Sequence, residues 1–472
     1  MLSGELPTPY TSSRLAESRK SNDPIFYRNL EQVLEKRRAD GTIYSIPRSE
    51  GAPESVDFKT FDILSLTSSG TLRRIYLDEL ATESRFKLND GVSRVMGNSS
   101  YTSETEHEIA AFHGAETALL LKSGWDANGA IMSAIPQRGD VIVYDELIHA
   151  SFHEGMKLTR ASTKISFKHN DVDDFRQTLT RVRQSYPLIG EDKRCLLISV
   201  ESLYSMDGDV TPLAELVAVA KEIFPKGNAQ FVIDEAHSTG VIGKGGSGLV
   251  NMLGLEKDIA IRVHTYSKAI PASGGAVILC NETVRSMLIN YGRVVIYSNS
   301  PQFSMVGPIR IAYRYMRSGQ IEALQVKLQE VIRHFYRSIT SHPVYRRAVD
   351  AGILSVPNAD GFESKQFLSH ISYIMTCQCY NEHLFCHLLL RNFSVLAVGP
   401  PVVPKGTKRV RLVFHADHTD AQIESLAGAI CEWAYEMLET EASEKAGSSS
   451  KISYAAQQVF MNQDGAKGII VG

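Results

Sequence analysis

QFVIDEAHSTG, residues 230–240, is an apolar run without alternation that stops at two acids and a histidine. A strand with one face in water alternates apolar and polar side chains. A strand covered on both faces does not, and such runs suit a mostly parallel sheet sandwiched between helices. The stretch belongs to a series between about residues 95 and 300: ALLLKSG, DVIVYDE, CLLISVES, IAIRVHTYSK and GGAVILC, with helical stretches between them. The pattern predicts an α/β domain.

Outward from this block the pattern changes. PIRIAYRYMRSGQIEALQVKLQEVIRHFYRSI reads as one long helix and leads into mixed strands and helices, a smaller α+β domain over 305–440. Upstream, DPIFYRNLEQVLEKRRADG spaces Phe26, Leu30, Val33 and Leu34 as a helix that Gly41 stops. Polar, irregular sequence then runs to about residue 80, so 1–80 is expected to be a leader and helical arm and 81–304 the large domain. The tail 441–472, beginning TEASEKAGSSS, has the composition of a disordered segment.

Composition narrows the function classes. The chain has 472 residues, 43% hydrophobic and 22% charged, with a net charge of -3, which gives no general pull toward nucleic acid. No apolar run reaches the ~18 residues that argue for a membrane span. The hydroxyl-rich opening MLSGELPTPYTSSRLAESRKS contains Glu5 and Glu17 and lacks an apolar core. It reads as a cytoplasmic leader, with a mitochondrial address as the alternative. The six cysteines do not make a secreted disulfide scaffold. Cys377 and Cys379 close the strand ISYIMTCQC, and His383, Cys386 and His387 follow on a helix; without paired C-x-x-C knuckles they read as core thiols, and no metal is expected.

In open α/β sheets ligands gather beyond the carboxyl ends of the strands. Here those ends carry Asp145, His149 and Ser151; Glu201, Ser205, Asp207 and Asp209; Asp234, Glu235 and His237; and Thr265, Ser267 and Lys268. A lone lysine at a strand end is ordinarily a solvated cap. One in a poorly solvated slot favours its neutral amine, which forms a Schiff base with an aldehyde. The set fits pyridoxal 5'-phosphate, which needs a lysine, a carboxylate for its pyridine nitrogen and donors for a phosphate. KSGWDAN supplies the last through a loop opening a helix at Ser123-Gly124-Trp125. GKGGSG lacks Walker spacing and reads as a mobile turn.

From about residue 85 to 435 the chain resembles the α-oxoamine synthases of the pyridoxal phosphate enzymes, nearest the 8-amino-7-oxononanoate synthases. The motifs GVSRVMGNS, KSGWDAN, DELIHASFHEG, ESLYSMDGD, DEAHSTGVIGKGGSG, TYSKA, IYSNS and PPVVPKGTKRVRL follow that family's order and spacing. The resemblance implies a fold-type I enzyme, its large domain built on a mostly parallel seven-stranded sheet. It implies a homodimer with a shared active site that condenses an amino acid with an acyl thioester, on CoA or a carrier protein, and releases carbon dioxide and a thiol. By position Lys268 is the Schiff-base lysine, Asp234 pairs with the pyridine nitrogen, and His149 stacks on the ring. His237 and Ser205 reach the ring hydroxyl or phosphate side. Gly124, Trp125 and Thr265 bind phosphate, joined by Asn299 from the partner subunit, and Arg411 holds the amino acid carboxylate.

The substrate side departs from the family's pattern. Its Ser-Asn-Asp-Tyr-Leu-Gly is SLTSSG here, with Leu66 at the asparagine; Thr102 replaces a histidine, and Pro271 a residue usually glycine. Alanine and a pimeloyl thioester are therefore not implied, and biotin and secondary metabolism both stay open. An aminotransferase of the same fold and an inactive partner subunit of a heteromeric synthase are the alternative readings.

Overall fold

The computed structural model describes residues 24–39, 43, 55–87, 91–377, 380–400 and 402–445. In chain order the strands are Val56–Asp57 (β1), Thr117–Leu121 (β2), Val141–Asp145 (β3), Thr163–Phe167 (β4), Leu196–Glu201 (β5), Ala229–Asp234 (β6), Ile261–Ser267 (β7), Pro271–Cys280 (β8), Leu354–Ser355 (β9), Ile371–Thr376 (β10), Phe393–Ser394 (β11), Leu396–Val398 (β12) and Arg409–Val413 (β13). A seven-stranded sheet has the order β2-β8-β7-β6-β5-β3-β4, with β8 antiparallel to both neighbours and the β7-β6-β5-β3-β4 pairs parallel. Successive residues of these strands feed two separate cores. Leu120, Val141, Val143, Ile198, Phe231 and Ile233 pack on one face; Leu119, Leu121, Ile142, Leu197 and Val232 pack on the other. That double burial is why QFVID shows no alternation.

A four-stranded antiparallel sheet, β12-β13-β10-β9, forms the second unit. The segment after residue 55, expected to be irregular, is stitched onto it. β1 pairs with β11, Val413 N donates to the Phe58 carbonyl at 2.8 Å and Ala416 N to that of Ile63 at 2.8 Å. Phe58, Ile63, Leu64 and Leu66 are buried, and a helix spans Thr71–Thr82. Local sequence gave no period here because the partners are more than 300 residues away.

Other expectations change in detail. The single long helix is two, Phe303–Arg317 and Gln320–Ser341, broken at Gly319 with φ 82°; only glycine adopts that conformation readily. The helix Asp420–Lys445 continues past the expected boundary at 440, and the rest of the tail lies outside the described residues. Cys377 follows the end of β10, and Cys379 is not among the described residues. GKGGSG is a packed turn rather than a mobile one: Gly245, Gly246, Ser247 and Gly248 are buried. The buried Glu235 carboxylate accepts from Leu249 N and Val250 N, each at 2.8 Å. Gly248, at φ 99°, leaves no room for a Cβ beside that carboxylate.

Candidate active site

The parallel strands end together, so Asp145, Glu201, Asp234 and Ser267 reach one edge of the sheet. A register irregularity between Thr265 and Ser267 closes β7 and turns the chain toward Lys268. Lys268 Nζ lies 2.9 Å from His237 Nε2 and 5.9 Å from the centre of the Phe61 ring. Burial lowers the ammonium's pKa, against the pull of Asp234 and Glu201, and the Arg411 charge lowers it further. The lysine is therefore biased toward the free amine. His237 is buried and held neutral, first by desolvation and then by Lys268, and its Nδ1 has no partner among the described residues.

Asp234, nearly fully buried, is oriented by two donors: Asn128 Nδ2 at 2.8 Å and Ala236 N at 2.9 Å. The same Asn128 amide reaches Ser151 Oγ at 3.0 Å, which lies 2.8 Å from His149 Nδ1. A hydrogen-bonded path thus links His149 to Asp234. Beside it, the helix Gly124–Ala134 opens with Ser123 capping Asp126 N at 3.1 Å, an arrangement that stabilises by about 1 kcal/mol. A Cβ on Gly124 would come 2.7 Å from Thr265 Cγ2, and the buried Thr265 Oγ1 has no partner among the described residues. A free helix start, an orphaned hydroxyl and room left by a glycine suit a phosphate. Trp125, half-exposed, stands edge-on to His149 at 6.2 Å. Lysine, carboxylate, aromatic wall and phosphate cradle together fit pyridoxal phosphate.

Arg411 comes to the same place from β13. Its guanidinium lies over the Phe61 ring that Lys268 also faces, with Cζ 4.8 Å from the centre. It is 4% exposed, donates from Nη1 to the Ser205 carbonyl at 3.2 Å, and leaves Nε unpartnered among the described residues. Burial alone pushes its pKa down to about 10. A buried guanidinium without a carboxylate is a standing anion site.

Two further sequence-predicted residues lie at the margins of this arrangement. Ser205 meets Arg411 through its backbone carbonyl, and its hydroxyl makes no hydrogen bond among the described residues. Asn299 is exposed and lines a small cleft with Lys122 and Asp126 beside the Gly124–Ala134 helix. Three residues were not anticipated. Asn128 orients Asp234, and Phe61 gathers Lys268, His237 and Arg411 around one ring, the His237 ring lying 5.2 Å away. His370 is fully buried, with both ring nitrogens unpartnered among the described residues, 6.4 Å from the His237 ring. Asn128 lay within KSGWDAN; Phe61 and His370 gave no local signal.

The family described as Aminotransferase class I and II matches residues 71–430, and the chain belongs to it. It is 46% identical over 451 residues to aminoacyl transferase sphA of Aspergillus fumigatus, covering 95% of each chain. It is 40% identical over 385 residues to an 8-amino-7-oxononanoate synthase of Emericella nidulans, covering 81% of this chain and 90% of that one. The fold is also that of Sphingomonas wittichii serine palmitoyltransferase, with a TM-score of 0.69 at 22% identity over 88% of this chain and 98% of that one. Within the class I and II family the chain is an α-oxoamine synthase.

Proposed function

We propose that this chain is a pyridoxal phosphate-dependent C-acyltransferase that joins an amino acid to an acyl thioester, releasing carbon dioxide and a thiol and leaving an α-aminoketone. One observation carries the reading: Arg411, buried and without a carboxylate partner among the described residues, shares the Phe61 ring with Lys268. An amino acid held through its carboxylate at Arg411 is brought beside the lysine amine. When bound, the cofactor supplies an aldehyde for the amine and an electron sink for the carbanion.

The chain's own residues do the rest. Gly124, Trp125 and Thr265 hold the phosphate, and Asp234, fixed by Asn128, keeps a proton on the pyridine nitrogen. His149 forms the wall of the ring site, with His237 and Ser205 at its rim. Lys268 Nζ, its ammonium disfavoured by burial, is the base that takes the amino acid's α-proton, and His237 Nε2 lies within reach to share it. A second copy completes the site through Asn299, in a cytoplasmic homodimer. No described helix is long and apolar enough to cross a membrane. The names of the relatives fit a condensing enzyme, while Leu66 and Thr102 point to an amino acid or acyl chain other than alanine and pimeloyl. A panel of amino acids crossed with acyl thioesters, read by mass spectrometry, tests the reading: at least one pair yields the decarboxylated aminoketone. A panel yielding only 2-oxo acids would contradict it.

A further inference from the structure

The loop after β5, residues 204–210, joins the two sheets at the point where Arg411 is held. On the side of the small sheet, Ser205 gives its carbonyl to Arg411 Nη1 at 3.2 Å. Asp207 pairs with Arg409, two residues before Arg411 on β13. Gly208, at φ 69°, lies so close to the Ile371 carbonyl of β10 that a Cβ there would overlap it.

On the large-sheet side the loop is tied as firmly. Asp209 Oδ2 meets His169 Nε2 at 2.6 Å and also accepts from Asn170 Nδ2. His169 Nδ1 reaches Asp145 Oδ1 at 2.9 Å, and Asn170 N donates to Asp145 Oδ2 at 3.0 Å, so the anchor is the buried end of β3. Tyr204 stands edge-on to His169 at 4.5 Å and closes the loop with its amide on the Asp209 carbonyl at 3.1 Å. Burial opposes a charge on His169, but the hydrogen bonds to Asp145 and Asp209 outweigh it and raise its pKa to about 10. His169, Asp207 and Asp209 bring ligand atoms within 4.8 Å of one another. A cation is not needed there, because His169 and Arg409 already match both loop carboxylates.

We propose that Asp207 and Asp209 are positioning residues: they latch the loop between β3 and β13, and the latched Ser205 carbonyl sets where the Arg411 guanidinium meets the amino acid carboxylate. This rests on the carboxylate reading of Arg411. The neighbouring Arg409 is thereby a structural arginine, spent on the latch, and Arg411 alone is left for substrate.

Near-isosteric Asp207→Asn and Asp209→Asn variants of the holoenzyme, alongside Arg411→Lys and the two double variants, test the latch. The amino acid Kd is read from the visible spectrum of the bound cofactor, with melting temperature and acyl-thioester KM as companions. Each loop variant is expected to weaken the amino acid about 10-fold, the scale of one misaligned hydrogen bond to a charged group, while acyl-thioester KM is unchanged. In the Arg411→Lys background the loop variants should add less than about twofold, where independent sites would again show the full loss. A normal loss in Arg411→Lys with unchanged Kd in both loop variants, or a lowered melting temperature alone, overturns the latch. An unchanged Kd in Arg411→Lys overturns the carboxylate reading and the latch with it. A Kd that shifts with EDTA overturns it in favour of a metal-held loop.

Discussion

Replacing Arg411 by alanine should remove the amino acid's carboxylate anchor while leaving the cofactor in place. Arg411 sits mid-strand, paired with Tyr373 on one side and Leu396 on the other, so its backbone position does not depend on its side chain. The guanidinium is buried, has one carbonyl acceptor and meets no carboxylate among the described residues; its pKa, pushed down to about 10, reports that uncompensated burial. An arriving carboxylate therefore meets a cation already stripped of water. Breaking such a pair costs about 2–4 kcal/mol, or about 30-fold to 1000-fold in Kd. Lysine keeps the charge but not the planar fork, so Arg411→Lys should fall between alanine and the native enzyme. Spectral titration of the holoenzyme with the amino acid measures both. A Kd for Arg411→Ala within about threefold of the native value, at unchanged cofactor content, would refute the reasoning.

Lys268→Ala should lose the visible band of the bound cofactor on dialysis, because no other described lysine faces the His237 and Phe61 side chains; a retained band sinks the assignment. Burial, helped by the charges of Lys268, His415 and Arg411, lowers the His370 pKa to about 3. Below about pH 6.5 the unfolded chain binds a proton that the folded one refuses, so stability falls as pH drops toward about 3, by up to about 1.4 kcal/mol per pH unit. His370→Phe should flatten that slope by one proton in denaturant titrations; an unchanged slope contradicts the neutral imidazole. Gly248→Ala should destabilise the fold by about 2–4 kcal/mol through overlap with Glu235 and a strained φ, which a thermal melt detects and an unshifted melt denies.

Much of this was legible because it is local. An apolar run that ends in acids is written in consecutive residues, so the parallel strands and Asp145, Glu201, Asp234 and Lys268 at their ends follow from the sequence pattern. The break at Gly319 was legible too, but the long apolar periodicity on both sides outweighed one glycine. What escaped is made by contacts distant in sequence. Phe61 becomes part of the site only because its segment is pinned by hydrogen bonds from Val413 and Ala416. His370 lies next to β10, far along the chain from His237, and nothing in SHIS marks it as facing the lysine. GKGGSG looked mobile by composition, and only the packed fold, with the Glu235 carboxylate against Gly248 and the Gly240 backbone against Gly246, shows why glycines stand there. Ser205 falls in the loop after β5, and whether its hydroxyl or its carbonyl faces Arg411 is a matter of backbone direction.

The central claim is that the bound amino acid is acylated and decarboxylated rather than stripped of its amine. The direct measurement supplies carboxyl-labelled amino acid to the holoenzyme, with and without acyl thioester, and follows labelled carbon dioxide and free thiol together. The account predicts that the two appear in equal amounts and only when both substrates are present. Amino transfer to a 2-oxo acid with no thiol released from any thioester would contradict it.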